Sequence, residues 1–225
     1  MSDLLLVEDD AVIREATQMA LERYGLRVRT AVDGLAGLEA FERDVPAVAL
    51  LDVMLPHLDG VSVARRIRET SLIPIIMISA RSDAIDVINA LEAGADDYVT
   101  KPFDTAVLYA RIRAALRRAA TGAKVPVSAG GPALVFGDLS VDPEAMEVRS
   151  RGERLSLTPT ELKLLLEFTA SPGIVLSRDV LLQRVWDYAW DGDTRVVDVH
   201  VQRLRVKIGS DRIETVRGFG YKLRR

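Results

Sequence analysis

AVALLDVMLPHLDG, residues 47–60, is the stretch from which this 225-residue chain can be read. Four apolar residues, Val48 to Leu51, lead straight into one carboxylate, Asp52, and a loop marked by Pro56 and Gly60 closes the segment. A continuous apolar run bounded by turn residues suits a strand buried on both faces of a parallel sheet. In open α/β sheets, ligands bind in the crevice beyond the carboxyl ends of the strands, and Asp52 stands at such an end. Taken alone, Asp52 reads more readily as a cap for the loop or for the next helix. The rest of the chain separates the two readings.

Working outward, apolar strands alternate with amphipathic helices. Residues 4–7 read as a strand that ends in the acidic triplet Glu8-Asp9-Asp10. A helix follows over about 11–24, with Val12, Ala16, Met19 and Ala20 on one face and Gly25 as its stop. Residues 27–31 form a more polar strand, expected at a sheet edge, and 34–43 a second helix. Beyond Asp52 come a helix over about 59–69, a strand over 73–79 (IPIIMIS), a helix over about 83–92, a short strand over 97–100 and a helix over about 105–118. Five strand–helix units predict a doubly wound parallel sheet. Right-handed crossovers favour strand order 2-1-3-4-5 at this size.

In a parallel sheet the carboxyl ends share one edge, so Glu8, Asp9, Asp52, Ser79 and Lys101 are expected to converge. Three carboxylates in one crevice repel unless a cation intervenes, and an all-oxygen set suits Mg²⁺ far better than Zn²⁺. Asp52 would then accept a phosphoryl group as a carboxylate nucleophile, with Lys101 and the Ser79 hydroxyl on the remaining oxygens. Lys101-Pro102 is a candidate cis bond that would aim the lysine inward. Each residue also has a plain role: the acidic triplet favours a helix N-terminus, Ser79 a strand-end cap, and Lys101 a solvated loop. All of these plain roles holding at consecutive strand ends is the less economical account.

VEDD at 7–10, LLDVMLPHLDG at 50–60, ISAR at 78–81 and GADDYVTKPF at 94–103 closely resemble the receiver domain of bacterial two-component response regulators. By that resemblance Glu8 and Asp9 are the acidic pair at the metal, Asp52 the phosphoacceptor and Met54 a backbone-carbonyl ligand of Mg²⁺. Ser79 is the switch hydroxyl, Tyr98 the switch aromatic and Lys101 the phosphate-pairing lysine. The resemblance also implies a symmetric dimer through the fourth helix, fifth strand and fifth helix. Glu92, Asp96, Asp97, Arg111, Arg113 and Arg118 are candidates for its ion pairs. Val87 and Val107 stand where the family usually places a basic residue and its acidic partner, so an apolar contact is expected to replace one pair.

Composition sets bounds on the whole. The chain has no Cys, which excludes disulfides and thiolate metal sites. Nothing near Met1 reads as a signal peptide and no apolar run is long enough for a membrane span, so a cytoplasmic protein is expected. Residues 1–118 carry 14 Lys+Arg against 19 Asp+Glu, whereas residues 195–225 carry 9 against 3. An acidic front and a basic tail point to a nucleic-acid surface at the far end.

Residues 119–133 (AATGAKVPVSAGGPA) lack periodicity and read as a linker between a domain over 1–118 and one over 134–225. In the latter, short segments at 134–136, 139–142, 147–150 and 153–155 predict an antiparallel sheet. Thr158-Pro159-Thr160-Glu161 is a capping box opening a helix to about Ala170, and Ser177 caps another to about Trp186. A third helix runs from about Thr194 to Ile208, with Val197, Val201, Leu204 and Ile208 as its core face. Arg195, Val199, Gln202, Arg203 and Val206 are expected to point the other way, where Arg and Gln can read base edges or phosphates. His200 lies on the flank, as a packing residue or a phosphate contact. Residues 213–216 and 220–223 flank Arg217-Gly218-Phe219, a hairpin whose Arg217 suits a minor groove.

LSLTPTELKLLLEF (155–168), RVVDVHVQRLRVKI (195–208) and TVRGFGYKL (215–223) closely resemble the winged-helix effector domain of the OmpR/PhoB family. The resemblance implies that Arg203 and Arg205 are recognition-helix contacts, and that the loop at 187–193 corresponds to one that meets RNA polymerase in some relatives. The expected function is a transcriptional regulator phosphorylated on Asp52 by a sensor histidine kinase with Mg²⁺, dimerising and binding paired DNA half-sites. A phosphohydrolase would need a general acid, for which its family uses an Asp two positions after the nucleophile; Met54 stands there. Self-phosphotransfer and slow self-hydrolysis are the chemistry expected. A flavodoxin-like sheet could bind a flavin, but aromatic content is only 5% and no strand end of this chain shows an obvious stacking pair. The complete acidic, hydroxyl and lysine set speaks against DNA binding that is independent of phosphate.

Overall fold

The computed structural model of the chain describes residues 3–81, 83–123, 133–187 and 193–224. The chain divides into two compact units, Met1–Leu116 and Arg117–Arg225. The first is a five-stranded parallel sheet in the order β2-β1-β3-β4-β5. Its strands are β1 (Asp3–Val7), β2 (Arg27–Ala31), β3 (Val48–Asp52), β4 (Ile75–Ser79) and β5 (Asp97–Thr100). Every residue of β3 and β4 is buried, as their unbroken apolar runs require, whereas β2 alternates as an edge strand. The helices α1 (Ala11–Arg23), α2 (Gly34–Arg43), α3 (Gly60–Thr70) and α4 (Ala84–Glu92) make the four crossovers, and α5 (Thr105–Ala123) follows the last strand. One sheet face packs Leu4, Leu6, Val48, Leu50, Ile76 and Ile78 against Leu21 of α1 and Leu108, Ile112 and Ala115 of α5. Period-2 alternation turns Leu5, Val7, Ala49 and Leu51 to the opposite face.

Three local expectations are corrected. On α1, Val12 is 77% and Met19 56% exposed, and Ala16 is also exposed; the buried residues are Thr17 and Leu21. Helical spacing identifies a stripe, but packing against the sheet core selected the one that carries Leu21. Strand β4 begins at Ile75 rather than residue 73, since Pro74 has no N–H for the ladder. Helix α5 passes Arg118 and reaches Ala123, because the alanine-rich sequence after Arg118 propagates a helix readily. The remainder of the expected linker, 124–132, lies outside the described residues.

In the second unit β6 (Leu134–Phe136), β7 (Leu139–Asp142), β8 (Glu147–Ser150) and β9 (Glu153–Arg154) form an antiparallel sheet in sequence order. Helix α6 (Pro159–Ala170) starts with the expected capping box: Glu161 N–H donates to Thr158 Oγ1 at 3.3 Å and Thr158 N–H to Glu161 Oε2 at 2.8 Å. Helix α7 (Arg178–Leu181), capped by Ser177, widens into a π-type turn over Leu182–Trp186. Helix α8 (Arg195–Ile208) is followed by the hairpin β10 (Ile213–Val216) and β11 (Gly220–Leu223). Leu164, Leu165, Phe168, Leu181, Val185, Trp186, Val197, Val201, Leu204, Ile208 and Leu223 are buried in this unit. Among the described residues, no helix is long and apolar enough to cross a membrane.

Candidate functional site

The carboxyl ends of β1, β3, β4 and β5 meet as the topology requires. Carboxylate oxygens of Glu8, Asp9 and Asp52 lie within 4.8 Å of one another. Glu8 and Asp52 are buried, at 1% and 5% exposure, while Asp9 is exposed. Lys101 reaches into the cluster: its Nζ donates to Glu8 Oε1 at 2.9 Å and Oε2 at 2.7 Å, and also to Asp52 Oδ2. The peptide bond Lys101-Pro102 is cis, as expected. Backbone donors complete the frame, with Lys101 N–H on Ser79 O at 2.7 Å and Met54 N–H on Asp52 Oδ1 at 3.0 Å.

Two further residues support the site. Arg14 of α1 donates from Nη1 to the carbonyls of Glu8 (2.8 Å) and Asp9 (3.0 Å), fixing the loop that carries the acidic pair. Gly60 lets α3 begin against β3, since a Cβ there would sit 1.9 Å from Asp52 O. Gly60 was visible as a turn residue, whereas no sequence pattern marks Arg14. Asp10, the third acid of the triplet, is spent on capping α1.

Electrostatics follow from burial and proximity. Burial pushes the Glu8 carboxyl above the ordinary range and the nearby Asp52 charge adds to this, against the opposing pull of Lys101. Burial works against the Lys101 ammonium, but its hydrogen bonds to Asp52 and Glu8 outweigh it and raise the lysine overall. The fully buried Ser79 accepts from Arg81 N–H through Oγ at 3.1 Å. Tyr98, 9% exposed, donates from its hydroxyl to Arg81 O at 2.6 Å. Burial raises its phenol above the ordinary value. Ser79 and Tyr98 are therefore linked through the Arg81 backbone. The three oxygen donors fit a hard divalent cation, which takes carboxylates and retains waters.

The candidate dimer face is only partly at the surface. Val87 is 2% exposed, so it belongs to the packing of α4 and not to an outer apolar contact. Asp96 is fully buried and pairs with Arg68 Nη2 at 2.6 Å while accepting Ile75 N–H at 3.0 Å. Asp97, also buried, pairs with Arg111 at 3.0 Å within the chain. Arg118 is 4% exposed and falls in the second unit. Charges that the sequence offered to a partner are thus used internally, because a buried carboxylate requires a partner from its own fold. Glu92, Val107 and Arg113 remain exposed.

On α8 the division of faces also differs from expectation. Val199 is 7% exposed and His200 fully buried, its Nδ1 2.8 Å from Val196 O and its ring edge-on to Trp186 at 5.1 Å. Arg203 points to the buried Glu161 of α6 at 3.1 Å, and Lys207 Nζ donates to the same carboxylate at 2.6 Å. The buried acid draws α8 cations inward. Its sequence signal was the capping box, which also places a carboxylate in the core that must find cationic partners. Arg205 donates from Nε and Nη2 to Ile213 O at 2.9 and 2.6 Å, from Nη2 to Thr215 Oγ1 at 2.7 Å, and from Nη1 to Gln202 Oε1 at 2.8 Å. Arg205 therefore ties the hairpin to α8. Arg195 pairs with Asp193 at 2.5 Å, while Gln202, Val206 and Arg217 are exposed. Most of the expected polymerase-contacting loop, 188–192, lies outside the described residues.

Residues 4–113 match the response regulator receiver domain model, and 152–223 the model described as transcriptional regulatory protein, C terminal. The chain is 67% identical over 227 residues to the transcriptional regulatory protein CseB of Streptomyces coelicolor, covering 98% of this chain and 97% of that one. It is 42% identical to the DNA-binding response regulator MtrA of Mycolicibacterium smegmatis, covering 97% and 95%. Among solved structures, response regulator DrrB of Thermotoga maritima, an OmpR/PhoB homologue, aligns over 100% of both chains with 34% identity and a TM-score of 0.51. A variant of RitR aligns over 100% of this chain and 99% of that one with 26% identity and a TM-score of 0.73. With the acidic pocket at the strand ends and a winged helix after it, the chain belongs to the OmpR/PhoB family of response regulators and is a DNA-binding transcriptional regulator of a two-component system.

Proposed function

We propose that a sensor histidine kinase donates a phosphoryl group to Asp52 and that the modified receiver dimerises to place two winged helices on paired half-sites. The observation that supports this most directly is Lys101 bound to both Glu8 and Asp52 beside Asp9. Such a lysine offsets part of the pocket's negative charge at rest and is placed to pair with a phosphoryl oxygen once Asp52 carries it. Glu8, Asp9, Asp52 and the Met54 carbonyl would hold Mg²⁺, which when bound offsets the charge that gathers on the transferring phosphoryl oxygens. Ser79 turns its hydroxyl to the phosphoryl group, releasing the Arg81 backbone that Tyr98 also holds and so altering the α4–β5–α5 surface. Glu92, Val107, Arg111 and Arg113 are the candidates for the dimer contact, together with Asp97 if its pair with Arg111 is exchanged between protomers.

Helix α8 enters the major groove with Gln202 and Val206 outward, and Arg217 on the hairpin enters the minor groove. Arg195 contributes to the phosphate contacts. The chemistry of the protein is confined to its own phosphorylation and slow dephosphorylation, the cytoplasm is its proposed location, and RNA polymerase is a candidate partner.

Sedimentation of the full-length protein with Mg²⁺, with and without beryllofluoride, tests this reading. A monomer-to-dimer shift that Asp52→Ala abolishes is expected. An unchanged sedimentation coefficient in the wild type would sink the dimerisation mechanism.

A further inference from the structure

Phe219 is 72% exposed, the most exposed aromatic side chain among the described residues. A lone exposed apolar residue is ordinary on a protein surface, but this one is held out by construction. Phe219 N–H closes the turn on Val216 O at 2.9 Å, and Gly218 before it has φ +79°. Behind the tip, Leu176 and Tyr221 exchange backbone hydrogen bonds of 2.8 and 3.0 Å, anchoring β11 to the body of the unit. At Gly220, with φ +143°, a Cβ would lie 2.1 Å from Leu176 O, so only glycine permits this approach. On the other strand, the bonds from Arg205 to Ile213 and Thr215 fix β10 to α8. The hairpin tip and the outward face of α8 thus form one rigid platform.

On that platform an exposed Arg217 and an exposed aromatic ring flank Gly218, which has no side chain to cover either. A cation and an apolar wedge side by side match the minor groove of DNA, whose negative potential attracts Arg and whose base steps yield to inserted apolar groups. We propose that Phe219 is a specificity residue for DNA, its ring pressing on sugars and base edges beside Arg217 so that the hairpin selects a flexible pyrimidine–purine step. This rests on reading the hairpin as the minor-groove wing. Because the ring touches little of its own fold, its contribution falls on binding and not on stability.

The test uses full-length protein and a duplex that the wild type selects from a randomised pool, with a second duplex in which the step beneath the hairpin is replaced by a stiff one. Affinities are measured over a salt series for wild type, Phe219→Ala, Phe219→Leu and Arg217→Ala. Phe219→Ala is expected to weaken binding to the selected duplex by about tenfold, as loss of one interface anchor does. Its salt slope should stay that of the wild type, and its preference between the two duplexes should shrink. Phe219→Leu should recover part of both. Arg217→Ala should lower the salt slope by about one, since one cation fewer displaces counterions from the DNA. If Phe219→Ala binds both duplexes as the wild type does while Arg217→Ala is weakened, Phe219 has no such role and the wing reading stands. Equal weakening on both duplexes makes it a contact without selectivity and overturns the proposal. If neither variant changes binding, the wing reading fails and takes the proposal with it.

Discussion

The acidic pocket of the first unit and the cationic helix of the second respond differently to the same sequence signal. In both, charged residues at suggestive spacing pointed to function. In the pocket they gather around one opening, with Lys101 on Glu8 and Asp52. On α8, by contrast, Arg203 and Lys207 turn to the buried Glu161, and Arg205 is committed to the hairpin. The contrast arises from how each element is constrained. Parallel strands must end at one edge, so residues after them converge whatever surrounds them. A helix shows charges all round, and the partner it packs against decides which remain outside.

The largest expected effect is on the pocket. Asp52→Asn should abolish phosphoryl incorporation from an acyl-phosphate donor, because the nucleophilic carboxylate is lost while its position is kept. Any labelling that survives at wild-type rate would move the acceptor elsewhere and break the contrast between the two regions. The next effect tests whether the α8 cations are structural. Glu161→Ala should destabilise the second unit by about 2–3 kcal/mol, less than a fully buried pair would lose because Arg203 and Lys207 reach water. Urea unfolding measures it, and Glu161→Gln should recover part by keeping an acceptor for Thr158 N–H.

Arg205→Lys offers a smaller, sharper probe. Lysine keeps the charge but not the fork that spans Ile213 O, Thr215 and Gln202, so hydrogen exchange in β10 and β11 should accelerate by several-fold, equivalent to about 1 kcal/mol. Wild-type protection there would return Arg205 to the set of free DNA contacts. The smallest effect is on Tyr221, whose phenol is pushed up to about 12 by burial and by its bond to Asp198. The folded state keeps this proton while the unfolded chain releases it near pH 10, so stability contributed here holds below pH 10 and declines from 10 towards 12. Near-ultraviolet phenolate titration should show a late-ionising tyrosine that Tyr221→Phe removes.

The sequence by itself determined the alternation of strands and helices, the 2-1-3-4-5 order and the convergence of Glu8, Asp9, Asp52, Ser79 and Lys101. Each follows from local rules: unbroken apolar runs make buried parallel strands, crossover handedness limits their order, and strand ends share an edge. Capping was equally legible at Thr158 and Ser177, since it is written within four residues. Tertiary structure alone decided the rest. It chose Leu21 over Met19 as the inward side of α1 and buried Val87 and Asp96. It also set Arg14 behind the acidic loop and turned Arg203 inward while leaving Phe219 outside. Periodicity records that a helix has faces, but the side that gains a partner depends on residues far away in the chain.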